Sequence, residues 1–489
     1  MIARIQNYYK NYRSFSAIVD CQFGRKVIYT NVEKITIDNI EEELQSAKNI
    51  HAFNADAIRY LDNYYRGDQP ARYRKKEIRP EINNKIIENH ALEIVDSKVA
   101  DLYGEPVQYV LHGSDEAKAQ KLMELNSYMD TEDKSALDIE RGTWASICGT
   151  SYLYVGDKNR LPIIYDEAPY YLRCENPIYT FVAYYSDDRT PAFSCQTRRD
   201  DKGEYDIVYT NDFSVKIRGG KIEGDISPNG NHMIPVIEYP NNSRRLSDIE
   251  ITIEMTDAIN KMASDRQNGI EQFIQAFMLF KNCDVDDDGI VKLRDKGAIS
   301  IKDCADGKTA DLRILAEQLD QTQSQTLKED MYNNVLIIQG MPSRQENSGG
   351  DTGQAVALRN GYYAEDKRAE LRIPIFKRSE RMMLRVVLNK LRIRTEGEFD
   401  LKLSDIEIKP QRRKLENMSV KAQVLKMLHD IGIDDAIAIK TVNLFSDNQE
   451  VIEASKERME INFYANNADN ETEVIDVNNG GVTDGNTGI

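Results

Sequence analysis

The feature that most constrains this chain is a helical stripe too long for a compact domain. From Ser247 to Lys281 apolar residues recur at Met255, Ile259, Met262, Ile270, Phe273, Phe277 and Phe280, the three- and four-residue spacing of one helix face. A helix of about 35 residues would reach roughly 50 Å. A return helix is expected over about 316–339, but its first turns, Asp320 to Thr326, are polar on every side, so the segment cannot be stabilised by a local core. Such a segment must lean on copies of itself or line a wet channel. Gly340, Pro342 and the small polar run from Ser343 to Gly353 break it. A third long helix is expected over 354–394, interrupted at Pro374, whose ring removes a backbone donor. A last helical zone covers about 414–464, and the Asn-, Asp- and Gly-rich stretch from Asn466 to Ile489 reads as disordered.

The first half has a different rhythm. Residues 38–64 read as a helix capped by Asp38 and closed at Gly67, and a second helix is expected over 81–103, with Ile82, Ile86, Ile87, Ala91, Ile94, Val95 and Val99 on one face and a stop at Gly104-Glu105-Pro106. The basic loop between them carries Arg72, Arg74, Lys75 and Lys76, either a solvated face or a contact for a neighbour. A helical pair follows over 114–148. Between Ser151 and Tyr239 the period turns to two, with strands expected at Tyr152–Val155, Tyr179–Tyr185, Phe193–Thr197, Tyr205–Tyr209 and Ser214–Arg218. The fold class is therefore α+β, short antiparallel strands among helices, with the long helices behind them.

Charge and motifs exclude whole classes of function. With 64 Lys and Arg against 81 Asp and Glu, the formal net charge is −17, the wrong sign for a protein that grips DNA by neutralising phosphates. The five histidines are scattered, with no HExxH, and Gly349-Gly350-Asp351-Thr352-Gly353 lacks the Gly-Lys-Ser/Thr ending of a phosphate loop, so no enzymatic activity and no cofactor are expected. Six cysteines without a CxxC pair read as free thiols. No apolar run approaches the ~18 residues of a membrane span, and Met1 to Lys10 is unlike a signal peptide, so no membrane partner and a cytoplasm-like site of synthesis are expected. One motif is sharper. Asp284, Asp286, Asp288 and Gly289 match positions 1, 3, 5 and 6 of a calcium loop, but position 12 is Asp295 and the exit alternates like a strand. An acidic turn without metal is the reading adopted, with a calcium-binding interaction protein as the alternative.

The order of the breaks carries a resemblance. Asn63-Tyr64-Tyr65-Arg66-Gly67, Asn83-Asn84-Lys85-Ile86 leading to Ile94-Val95-Asp96, Tyr103-Gly104-Glu105-Pro106-Val107, Asp257-Ala258-Ile259-Asn260 with Ser264-Asp265 and Asn268, and Gly340-Met341-Pro342 before Gly350-Asp351-Thr352-Gly353-Gln354-Ala355 follow one another along the chain. In this arrangement the chain resembles the portal proteins of siphophage-type tailed bacteriophages, from about Asn54 to Glu460. It departs from them at Thr352, where the family usually has serine, and from Lys414 onward, where the match is loose.

The resemblance implies a portal fold in a ring, usually of twelve subunits. It places an α/β wing at 1–246, a stem helix at 247–281, a small α/β clip at 282–312, a second stem helix at 313–339, a tunnel loop and long kinked wing helix at 340–394, an α-helical crown at 395–465 and a disordered tail at 466–489. It further implies a channel at the unique capsid vertex, assembled in the host cytoplasm and kept in the virion, for packaging, retention and ejection of double-stranded DNA. The partners implied are other copies of the chain, the terminase large subunit, a head-to-tail adaptor, and the major capsid and scaffolding proteins. The tunnel loop, Ser343, Arg344, Gln345, Glu346, Asn347, Ser348, Gly349, Gly350, Asp351, Thr352 and Gly353, would face the DNA, and the clip residues Asp284, Asp286, Asp287, Asp288, Lys292 and Arg294 would meet the motor or adaptor.

Overall fold

The structure is a computed structural model, which describes residues 23–77, 80–113, 115–158, 167–274, 277–281, 311–315, 321–342, 362–411, 418–442, 444, 451 and 455. The chain divides into two units, Met1–Arg413 and Lys414–Ile489.

The first unit opens with β1 (Ile28–Thr30) and α1 (Ile40–Tyr65), a 26-residue helix. Ile40, Leu44, Ala47, His51, Ala55, Ile58 and Leu61 face inward at helical spacing, and Glu41, Glu42 and Glu43 complement the dipole of the first turn. The cap is not Asp38. Asn39 holds the entry turn instead, accepting from the Thr36 amide at 2.8 Å and donating to the Lys34 carbonyl at 2.9 Å. The helix expected over 81–103 shortens to α2 (His90–Tyr103), because residues 84–88 run extended along another helix, as described below. There follow β2 (Gln108–Leu111), α3 (Glu116–Thr131), capped by Asp115 through the amides of Ala117 and Lys118, and α4 (Lys134–Cys148).

The β layer holds more strands than the alternation suggested. After β3 (Thr150–Asp157) comes β4 (Tyr170–Glu175), then β5 (Thr180–Tyr185), β6 (Pro191–Asp200), β7 (Gly203–Tyr209), β8 (Phe213–Arg218), the short β9 (Lys221–Ile222) and β10 (Ser227–Pro228), and β11 (Val236–Pro240). Seven strands form one sheet in the order β1-β5-β6-β7-β8-β10 with β9 on β8, while β11, β3 and β4 form another. All pairs are antiparallel except β1 with β5, where Ile28 lies opposite Ala183. The strands β4 and β11 were missed, as Tyr-Tyr-Leu and Val-Ile-Glu-Tyr between prolines carry little alternation. Their pairing with β3 makes them strands.

The long helices differ most from expectation. The stripe from Ser247 to Lys281 is not one helix: α5 (Ile253–Ile274) has 22 residues and is followed by β12 (Phe277–Lys281), which pairs with β13 (Asp311–Leu315), Phe277 opposite Leu315. The run Phe277-Met278-Leu279-Phe280 fits either period, and a partner about thirty residues downstream decides for the strand. The return helix α6 (Gln321–Gln339) keeps exposed polar first turns, yet its second half has a core that the sequence reading denied it: Val335 and Leu336 are buried with Ile94 and Ile259. Nor does Pro374 interrupt the third helix, which continues as α7 (Tyr362–Arg394) through it, while residues 354–361 of the expected helix lie outside the described residues. Pro374 and Glu370, whose carbonyl loses its helical donor to the proline, are both exposed, so water replaces the missing bond. The C-terminal half of α7 is the spine of the largest core, where Phe376, Met383, Leu384, Val387, Leu388 and Leu391 meet β3, β4, β11 and α3. β14 (Ile406–Lys409) then pairs with β2.

The second unit contains α8 (Met418–Asp430) and α9 (Asp435–Val442), joined through Gly432 at φ +80. Ala438, Ile439 and Val442 are buried, while Met427, Ile431 and Ile437 are exposed.

Candidate functional site

All the residues expected in the tunnel loop, Ser343 to Gly353, and in the clip, Asp284 to Arg294, lie outside the described residues. What the structure provides is the frame from which both segments leave: β12 and β13 on either side of residues 282–310, and α6 and α7 on either side of residues 343–361.

Between α6 and α7 lies a buried junction centred on Asp248, which is fully enclosed. Arg372 of α7 donates to both its carboxylate oxygens, one of these bonds at 3.2 Å, and Ser146 Oγ of α4 donates at 2.7 Å. Its backbone is held as well: the amide donates to the Ser146 carbonyl at 2.9 Å and the carbonyl accepts from Gln339 Nε2 of α6 at 2.6 Å. Lys98 of α2 donates to the Gln339 carbonyl at 2.8 Å and stands 3.9 Å from the carboxylate. Burial acts to raise the Asp248 pKa, but Arg372 and Lys98 outweigh it and hold the carboxyl at about 2. For Lys98 burial wins, lowering the ammonium to about 8 against the attraction of Asp248. At the end of α6, Gly340 takes φ +64, and its amide and that of Met341 return to the carbonyls of Ile337 and Leu336. Arg368 of α7 donates to the carbonyls of Ile338 and Ile337. Cations from two other helices thus sit on the negative end of α6. The end of α6 is thus tied to α7 through Arg368, and to Asp248 and its partner Arg372 through Gln339.

A second arrangement explains motifs that the resemblance rested on. Asn260, Ser264 and Asn268, four residues apart on one face of α5, accept the amides of Glu88, Ile86 and Asn84 at 2.7, 3.0 and 2.7 Å. Four helical residues rise about 6 Å, and two extended residues rise about 6.6 Å. The helix therefore presents acceptors at nearly the spacing of alternate strand amides. Gln69 seals the top, accepting from Asn260 Nδ2 at 2.5 Å and donating to Asn89 Oδ1 at 2.8 Å.

Two further clusters have catalytic residue types without a catalytic arrangement. Lys134, Asp138, Arg141 and Glu380 are all buried. Lys134 bridges Asp138 and Glu380 at 2.6 and 2.9 Å, Tyr239 donates to Glu380 at 2.8 Å, and the Arg141 guanidinium stacks 4.0 Å from the Tyr239 ring centre. Two cations meet two carboxylates inside a packed core, and none is presented to a substrate. His51 is buried against the Ile178 carbonyl at 3.0 Å, and its pKa is pushed down to about 4 by burial. Cys148, Cys174 and Cys195 are free thiols, all raised by burial. In the basic loop Arg74 pairs with Asp265 at 2.5 Å, and Lys76 donates to the Ile82 carbonyl. Among the described residues no group of His, Cys, Asp or Glu is placed to hold a metal, and no helix is long and apolar enough to cross a membrane.

The family model described as "Phage portal protein, SPP1 Gp6-like" matches residues 44–462, taking in α1, the Asn-Ser-Asn face of α5, the Asp248 junction and the helices on either side of the loop. The chain belongs to this phage portal family. Portal proteins are structural components of phage particles rather than enzymes. Solved structures that resemble the chain include "Neck of native GTA particle computed with C12 symmetry", at 14% identity over 72% of this chain and 89% of that chain, TM-score 0.43. Others are "Virion of native gene transfer agent (GTA) particle", at 12% identity over 79% and 93% with TM-score 0.44, and "Neck of empty GTA particle computed with C6 symmetry", at 12% over 73% and 90% with TM-score 0.46. No curated protein matches.

Sequence reasoning missed the Asp248 junction entirely. Asp248, Lys98, Arg372 and Gln339 are separated by up to 274 positions in the chain and carry no local pattern. Only Gly340, read as a break, marked the place.

Proposed function

We propose that copies of this portal protein close into a ring, twelve by the family's habit, which forms the channel for double-stranded DNA at the capsid vertex during packaging, retention and ejection. The observation that carries this reading is the family match, which runs unbroken over both helices bordering the loop and over the segment between β12 and β13. Leu327 and Ile337 on α6 and Leu371 on α7 are exposed, 55%, 69% and 74% accessible, and offer apolar surface that a neighbouring copy would cover. The formal charge of −17 on every copy favours sliding over sticking for a polyanion in the channel. On this reading residues 1–246 form the wing, the helices before and after the clip the stem, and 395–465 the crown. Ser343–Gly353 faces DNA, and Asp284–Arg294 receives the terminase large subunit and the head-to-tail adaptor, while capsid and scaffolding proteins surround the ring. Negative-stain images and native mass spectrometry of the purified chain test it: closed rings with a central hole are expected, and a compact monomer at every salt and protein concentration would overturn it.

A further inference from the structure

The solvent side of α7 runs against the charge of the chain. On a protein of formal charge −17 exposed cations elsewhere stand on acids, Lys34 on Asp212 at 2.8 Å, Arg59 on Asp56 at 2.8 Å and Lys221 on Glu41 at 2.6 Å. Between residues 378 and 392 of α7 the exposed positions are Arg378, Arg381, Arg385 and Arg392 and no others, since the opposite face is the spine of the largest core. Steps of three, four and seven keep the four on one side of the helix over about 21 Å. None of them makes a hydrogen bond or ion pair with another described residue.

The helix dipole accounts for Arg392, which lies in the last turn. It does not account for the other three. Arg378, Arg381 and Arg385 lie mid-helix, repel one another at three- and four-residue spacing, and have no Asp or Glu three or four positions away to relieve them. Glu380, within the stretch, is buried and turned onto Lys134 at 2.9 Å, and Asp157 beside the helix is taken by Lys390 at 2.7 Å.

A face of arginines alone selects among anionic partners. Protein interfaces place apolar side chains at their centre, and nothing apolar is exposed in this stretch. A nucleic-acid backbone offers a line of charge instead, one phosphate per about 3.4 Å of axis on each strand, so the stripe matches about six phosphates. The guanidinium fork suits phosphate oxygens. The net charge does not forbid the contact, because at 0.1 M salt the Debye length is about 10 Å and acids farther off are screened.

We propose that the Arg378–Arg392 face of α7 is a sequence-independent binding surface for the phosphate backbone of double-stranded DNA. The choice of DNA among polyanions rests on the portal reading above, and the contact is additional to the one expected at Ser343–Gly353.

The test is the fluorescence anisotropy of a labelled duplex with the full-length protein between about 50 and 200 mM salt. Affinity should fall with salt and be the same for unrelated sequences. Arg378→Gln, Arg381→Gln and Arg385→Gln together should flatten the plot of log K against log salt by about 2.7, three contacts at about 0.9 each. Arg378→Lys, Arg381→Lys and Arg385→Lys together keep the charge and should keep the slope. No binding by the unaltered protein, or an unchanged slope in the glutamine variant, would overturn the proposal. Negative-stain images of the same samples separate it from the ring reading: a protein that forms no rings yet binds DNA through these arginines sinks the ring and leaves the stripe, whereas a glutamine variant that loses its rings and keeps the DNA slope assigns the face to a second copy.

Discussion

Replacing Arg372 with methionine keeps the aliphatic stem and removes the guanidinium that holds Asp248 through both carboxylate oxygens. Asp248 would remain fully buried, with Ser146 Oγ at 2.7 Å and Lys98 no nearer than 3.9 Å. Stranding one member of a buried ion pair costs about 3–5 kcal/mol. The pH linkage gives a second, smaller figure. The Asp248 carboxyl falls from 3.8 to about 2 in the folded protein, and at about 1.4 kcal/mol per unit this is about 2.5 kcal/mol. Because the folded value is the lower one, that stability is complete above about pH 4 and is lost as the pH falls through about 2. In Arg372→Met the folded carboxyl rises toward or above its unfolded value, so this group's loss of stability in acid should shrink or reverse. The assay is urea unfolding followed by the fluorescence of Trp144, the single tryptophan, which lies on α4 two residues before Ser146. Adding Asp248→Asn to Arg372→Met should recover part of the loss, since no charge is then stranded. A loss below about 1 kcal/mol, the size of an exposed pair, or a double variant worse than the sum of the singles, would refute the reasoning.

Asn260→Ala leaves the Glu88 amide without its acceptor and should cost about 1–3 kcal/mol, with faster hydrogen exchange at Glu88 than at any strand amide of β6 as the local signature. Lys98 has a folded value of about 8 against 10.5, so the unfolded chain binds more protons between these values and this group's contribution to stability should rise as pH climbs from 8 to 10. Lys98→Met should flatten that rise in urea midpoints measured across the range. Gly340→Ala puts a Cβ at φ +64 and 2.7 Å from the Arg368 side chain, and about 1–2 kcal/mol should be lost in thermal unfolding. Changing Asp284, Asp286 and Asp288 together to Asn should leave unfolding nearly unchanged and weaken motor or adaptor binding in a pull-down, whereas a calcium-dependent rise in Tm abolished by the variant would favour the calcium loop.

What could be read from the chain depended on the distance over which each signal acts. Helical periods in α1, α4 and α6 and the alternation of β5 to β8 are local, and they gave the α+β class and nearly correct ends. Where two periods coincide, as in Phe277-Met278-Leu279-Phe280, only β13 could decide, and it lies beyond the reach of a window. The strap at 84–88 had the apolar spacing of a helix, Ile82, Ile86 and Ile87, but its amides are taken by α5 side chains more than 170 positions away. Pro374 was read as an interruption because the sequence does not say which side of α7 faces water. The Asp248 junction joins four helices through single side chains, which no composition or spacing announces. The expected tunnel and clip residues fall outside the described segments, so the resemblance alone speaks for their roles.

The Asn-Ser-Asn face of α5 makes a demand on one partner and almost none on the other. It touches the strap chiefly at backbone amides, which every residue but proline carries, with the Asn84 side chain adding one bond to Asn268 at 3.1 Å, so the side chain at 86 is free to drift while 260, 264 and 268 must each keep an acceptor. The contact also counts in twos. Inserting one residue into the strap would turn every paired amide to the far side, and inserting two would merely slide it by one rung. Changes in length here are therefore survivable only in even steps, a parity rule that a library of one- and two-residue insertions would expose.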